Sequence, residues 1–186
     1  MIISKDLDKQ YPLCARYIRN FLDDPDKFKT RYPKIWDAFI KACTVELLDN
    51  KNRPAALELA KKALTMGSGP EIVAKGHVAN AGDECGLFTP GLSFYQFPEQ
   101  NIVKLAHETC AAYENGTGWK VFEGTLLHEL VHWVRFRNEG TANYQMTTLG
   151  EVGDLFEAWA YGFSVCLIKN GRMLPIGPPG TEPKSD

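Results

Sequence analysis

The chain has 186 residues, 44% of them hydrophobic and 24% charged, which is the composition of one ordinary folded domain. At this length folding buries about 70% of the surface of the extended chain, so neither disulfides nor a structural metal is required to hold a core together. Lys plus Arg number 21 against 23 Asp plus Glu, a net charge of −2 with no run of like charge; this excludes the concentrated basic footprint of a nucleic-acid or anionic-membrane surface and leaves a small or neutral partner.

The opening MIISKDLDKQ has no apolar signal-peptide segment, and no stretch approaches the ~18 apolar residues of a membrane span. Up to Met66 the pattern is helical. Leu13, Tyr17, Ile18, Phe21 and Leu22 recur at helical spacing, as do Ile35, Trp36, Phe39, Ile40, Cys43 and Leu47. Pro12, Pro25, Pro33 and Pro54 stand where helices can begin, which predicts three or four short helices closed by Gly67-Ser68-Gly69-Pro70. From Glu71 the runs shorten to Ile72–Ala74, Leu92–Phe97 and Ile102–Leu105, β-branched or aromatic and bounded by Gly or Pro, which predicts a small sheet. Between them, residues 76–91 read as a long functional loop. A helix is predicted over 123–137, a second over 150–169 before Asn170-Gly171, and a loose tail from Pro175. The expected organisation is α+β: one domain over 1–174 whose residues 1–66 form a helical scaffold, then the tail 175–186. Cys14, Cys43, Cys85, Cys110 and Cys166 lack metal-cage spacing and read as buried structural thiols.

Chemistry concentrates in His128-Glu129-Leu130-Val131-His132, an HExxH sequence. Histidines four apart stand on one helical face, so both imidazoles can reach a single ion at the ~2.0–2.1 Å of a Zn–N bond. Glu129, turned about 100° from His128, stands beside such an ion and can take the proton of its bound water. Leu127, Leu130, Val131 and Val134 supply a buried stripe next to the pair. Half of the chain's four histidines fall in this pentapeptide, which packing alone does not explain.

A catalytic zinc takes a third protein ligand and keeps one position open. The following helix offers three carboxylates. On a helical wheel Val152, Leu155, Phe156, Trp159, Phe163 and Leu167 gather on one side, with Asp154, Glu157 and Tyr161 opposite. Two acidic groups three residues apart can divide the work, one binding metal and the other accepting the second N–H of a ligand histidine. Glu151 is the rival ligand, about 120° from Glu157 on the same wheel.

The HELVH segment at 128–132, flanked by Leu126, Leu127 and Trp133, together with Gly-Asp-Leu-Phe-Glu at 153–157 and Tyr161-Gly162, resembles the zincin metallopeptidases whose third ligand is a glutamate. More narrowly it looks like the compact metallopeptidase domains of bacterial toxins and effectors, fused to or delivered by secretion-system proteins. The resemblance implies a zincin-like core and Zn2+, with His128, His132 and Glu157 as ligands and Glu129 as general base and acid. It also implies that the strand Ile102–Leu105 is the edge that pairs with a protein or peptide substrate. The 24 residues between His132 and Glu157 exceed the spacing of the best-known members, so Glu151 and Asp154 stay open as ligands. Arg135 and Asn138 exclude the three-histidine HExxHxxGxxH subgroup. For the oxyanion donor that peptide hydrolysis calls on, Tyr161 comes first, then Tyr144 and His107; His77 reads as an ordinary histidine. A zinc amidase acting on cell-wall peptides would use the same activated water, and a non-catalytic metal-binding interaction domain is the alternative from a different class.

Overall fold

The computed structural model describes residues 1–22, 24–46, 52–75, 86–87, 101–139, 146–162, 167–169 and 172–174. Proline sets the helix starts of the N-terminal part: Pro12, Pro25 and Pro33 each occupy the first turn of a helix, where a missing N–H costs nothing. Among the described residues five helices form there: α1 (Lys5–Gln10), α2 (Pro12–Phe21), α3 (Pro25–Arg31), α4 (Pro33–Thr44) and α5 (Asn52–Ala63). The additional one is α1, capped by the Ser4 hydroxyl, which accepts from the Leu7 N–H at 3.1 Å.

Strand β1 (Ile2–Ile3) pairs in parallel with β2 (Glu71–Lys75), and β2 in parallel with β4 (Ile102–Ala106). The short β3 (Gly86–Leu87) runs antiparallel to β4, giving the order β1-β2-β4-β3. The strand predicted at 102–105 is therefore flanked on both sides, by β2 and β3, and is not the sheet edge expected of a substrate-pairing strand. Its inner residues Val103 and Leu105 are fully buried. The run Leu92–Phe97 and the tail from Pro175 lie outside the described residues.

Helix α6 (His107–Glu114) leads through Gly116 and Gly118, both at positive φ, into the long α7 (Trp119–Glu139). A hairpin of β5 (Met146–Thr147) and β6 (Gly150–Glu151) then delivers α8 (Val152–Tyr161). The predicted second helix is thus shorter at both ends. It starts only after Glu151, whose extended backbone (φ −68°, ψ 133°) makes it the N-cap. It stops at Gly162, in the left-handed region at φ 91°, whose N–H donates back to the Ala158 carbonyl. Leu167 lies not on a helix but in β7 (Leu167–Lys169), antiparallel to β8 (Arg172–Leu174). A short apolar run reads alike as strand or helix, and the glycine decides between them.

The architecture of the described residues is α+β, mostly helical with a small mixed sheet. Helix α7 is its axis, packed against α4, α5, α6, α8 and β4. Phe39 of α4 meets Phe156 of α8 edge-on at 6.2 Å, and both rings are fully buried. Trp133 Nε1 donates to Asn101 Oδ1 at 3.0 Å, fastening α7 to the start of β4. Cys14, Cys43 and Cys110 are buried free thiols; Cys85 and Cys166 lie outside the described residues.

Candidate metal centre

Helix α7 carries His128, Glu129 and His132 with the predicted phase. The two imidazoles stack along one face, their ring centroids 4.9 Å apart and their planes at 61°. His132 and Glu129 are buried, 6% and 5% exposed, and His128 is partly covered.

The carboxylate that meets both rings comes from the hairpin. Gly150 takes φ 129°, a conformation open to glycine, and turns the chain inward. The turn before it is fixed twice: the Thr147 hydroxyl donates to the Gly150 carbonyl at 2.9 Å, and the Thr148 N–H donates to both oxygens of Glu46 at 3.1 and 3.0 Å. Glu151 follows as the N-cap of α8. Its Oε1 accepts from the Gly153 N–H at 3.0 Å and its Oε2 from the Asp154 N–H at 2.7 Å, so the helix terminus orients the carboxylate. Held this way, Oε1 lies 2.8 Å from His132 Nε2 and Oε2 lies 3.6 Å from His128 Nε2.

Glu157, 4% exposed, reaches the other nitrogen of the same ring: its Oε1 lies 2.9 Å from His128 Nδ1. Two sets of side chains bring donor atoms within 4.8 Å of one another, His128 with His132 and Glu151, and His128 with Asp154 and Glu157. Asp154 is exposed. Burial opposes the Glu151 charge, yet the hydrogen bond and charge of His132, the charge of His128 and the Gly153 N–H outweigh it and bring its pKa down to about 2. Burial likewise opposes protonation of His128, but the bond to Glu157 and the charges of Glu129, Glu157 and Glu151 raise its pKa to about 10. Three carboxylates, Glu129, Glu151 and Glu157, thus act on the one imidazole of His128.

Tyr161 does not point at this centre. Its hydroxyl donates to Glu123 Oε1 at 2.8 Å, and the other oxygen of Glu123 accepts from Tyr17. The wheel sets Tyr161 beside Glu157, and both side chains do meet α7, but Tyr161 reaches Glu123 rather than the histidines. His107 shares a hydrogen bond with the Tyr11 hydroxyl at 2.8 Å. Tyr144 and His77 lie outside the described residues. What the wheel hid is the position of Glu151 beside both Nε2 atoms. The glycine turn before it was the available signal, but Glu is not a favoured N-cap residue, so the cap was not legible.

Residues 7–162 match the sequence family described as metallopeptidase toxin 3. The chain belongs to this family. The matched span ends at Gly162, the residue that terminates α8. Neither a curated protein nor a solved structure matches the chain. A metallopeptidase toxin domain acts on protein and needs a metal ion, and the two imidazoles and carboxylate on α7 and α8 are a donor set that fits one. Among the described residues no helix is long and apolar enough to cross a membrane.

The Glu123 cluster gives a prediction of its own. Burial raises the Glu123 pKa above the ordinary 4.5, against the lowering pull of hydrogen bonds from Tyr17 and Tyr161. Between 4.5 and the raised native value the folded toxin domain binds more protons than the unfolded chain, so this group's contribution to stability is lost as pH rises through that window. Glu123→Gln keeps an acceptor oxygen for one of the tyrosines, offers an N–H to the hydroxyl oxygen of the other, and removes the titration. Relative to the parent, its stability should therefore increase as the pH is raised from about 4.5 to neutrality. Denaturant unfolding at a series of pH values checks this, and a difference that is flat in pH overturns it.

Proposed function

We propose that this metallopeptidase toxin domain is a zinc peptidase in which His128, His132 and Glu151 hold the metal, Glu157 orients His128, and Glu129 moves the proton. The carrying observation is the convergence of two Nε2 atoms and one carboxylate, on a helix pair whose HExxH spacing places Glu129 alongside. Two imidazoles and a carboxylate are a set that suits Zn2+, with a further position left for water.

Each residue has a separate task. Glu157 accepts the Nδ1 proton of His128, which fixes the tautomer that leaves Nε2 free to ligate. The Gly153 and Asp154 amides hold Glu151 ionised and aimed between the rings. Zinc, when bound, lowers the pKa of water towards ~7 and polarises the scissile carbonyl. Glu129 takes the released proton on its carboxylate and returns it to the departing amine. Tyr161 has no role at the reacting carbonyl in this reading, because its hydroxyl is spent on Glu123. Glu157, which the resemblance implied as third ligand, becomes the support of the first. The toxin family supports delivery outside the producing cell, by a secretion-system protein or in fusion with one.

Protein purified without chelator should carry about one zinc per chain by elemental analysis, and should cleave labelled unfolded casein in a reaction stopped by chelation and restored by zinc. Absence of any transition metal from such protein would overturn the reading.

A further inference from the structure

Gly153 is buried in the first turn of α8, between the two carboxylates that meet His128. Its φ lies outside the left-handed region, so the backbone alone would accept any residue there. What forbids a side chain is the imidazole. A Cβ at position 153 would fall 2.3 Å from both Cδ2 and Nε2 of His128 and 2.4 Å from Cε1. The ring thus occupies the place of the missing side chain, lying flat on the α8 backbone. Nor can it step aside cheaply. Its Nδ1 is tied to Glu157 at 2.9 Å and its Nε2 faces Glu151, so a rotation that cleared a methyl group would break the first contact and turn the second nitrogen away.

We infer that Gly153 is a positioning residue for the metal centre: its lack of a side chain lets His128 lie between α7 and α8 with one nitrogen on Glu157 and the other in the ligand cluster. This rests on the reading of His128 as a ligand. The glycine also sets how closely α8 approaches α7, and so where the Glu151 carboxylate stands relative to both rings. Glycine in a helix interior is otherwise a liability against alanine, so its presence here runs against helix propensity.

The test compares the parent, Gly153→Ala, His128→Ala and the double variant as full chains. Zinc affinity, read by competition with a chromophoric chelator, should fall at least about 10- to 100-fold in Gly153→Ala, with unchanged far-UV circular dichroism. Thermal melts of the zinc-free proteins supply the second readout. Gly153→Ala should lower Tm in the parent background but leave it unchanged or raise it in the His128→Ala background, where the obstructing ring is gone and alanine is the better helix former. If Gly153→Ala alone does not fold, recovery of folding in the double variant supports the inference and failure to recover overturns it. Parent-like zinc affinity in Gly153→Ala, or an equal loss of Tm in both backgrounds, overturns it as well. Should the parent bind no zinc, the ligand reading fails, while the melts still decide the steric role of Gly153.

Discussion

Glu129→Gln should keep its zinc and its fold and lose at least about a hundredfold in kcat/KM on unfolded casein, since general acid–base catalysis is typically worth 10² to 10⁴. Glutamine has the shape of glutamate but cannot hold the proton. Glu129 lies on α7 next to His128, is 5% exposed, and its charge already helps to raise the His128 pKa. Its replacement by glutamine keeps all the donor atoms in place and, by removing a charge that favours protonated His128, does not weaken metal binding, so the loss falls on the proton transfer. Zinc content measured on the same preparation separates the two effects. Turnover near that of the parent would mean that another group takes the proton.

The carboxylates of α8 should separate sharply in zinc titration. Glu151→Ala removes an oxygen pair lying 2.8 Å from His132 Nε2 and 3.6 Å from His128 Nε2, and with it the N-cap of the helix; it should abolish tight binding. Glu157→Ala leaves all three donors and loses the brace on Nδ1, which is typically worth about 10- to 100-fold in affinity. Asp154→Ala, at an exposed position, should stay close to the parent. Circular dichroism of all three confirms folding, because loss of a cap alone costs about 1 kcal/mol. If Glu157→Ala releases zinc and Glu151→Ala retains it, the ligand set moves to His128, His132 and Glu157, and the hairpin carboxylate is only a cap.

Legibility in the sequence tracked how local each determinant is. That His128 and His132 share one face of a helix is readable because an i, i+4 pair needs only a helix, which the apolar residues around HELVH favour. The helix starts at Pro12, Pro25 and Pro33 were readable because a ring that fixes φ acts within its own turn. Glu151 was misplaced by a wheel that assigned it a helical angle; its ψ of 133° takes it off the wheel and swings the carboxylate inward. The wheel sets Glu157 on the correct helix, but its contact with His128 Nδ1 is not legible, since angular position does not say which nitrogen of a ring a neighbour will meet. The flanking of β4 on both sides depends on pairing with residues 71–75 and 86–87, which no local pattern encodes. The same holds for Gly153, whose constraint is a ring 25 positions away in sequence.

The hairpin of β5 and β6 gives the centre an uneven mechanical character. Both histidines ride on α7, most of whose residues are buried under its neighbouring elements, so their amides belong to the part of the molecule that opens last. Glu151 instead hangs from a two-strand ribbon with exposed Met146 and Leu149, anchored through Glu46 on the far side of its turn. If Glu151 is a ligand as proposed, its carboxylate is held from both sides, by the Glu46-braced turn before it and by the Gly153 and Asp154 amides after it, so release of an ion involves this joint of ribbon and helix while the histidine rail stands still. On the proposed ligand set, then, the dwell time of the ion follows local opening at this joint rather than unfolding of the whole chain.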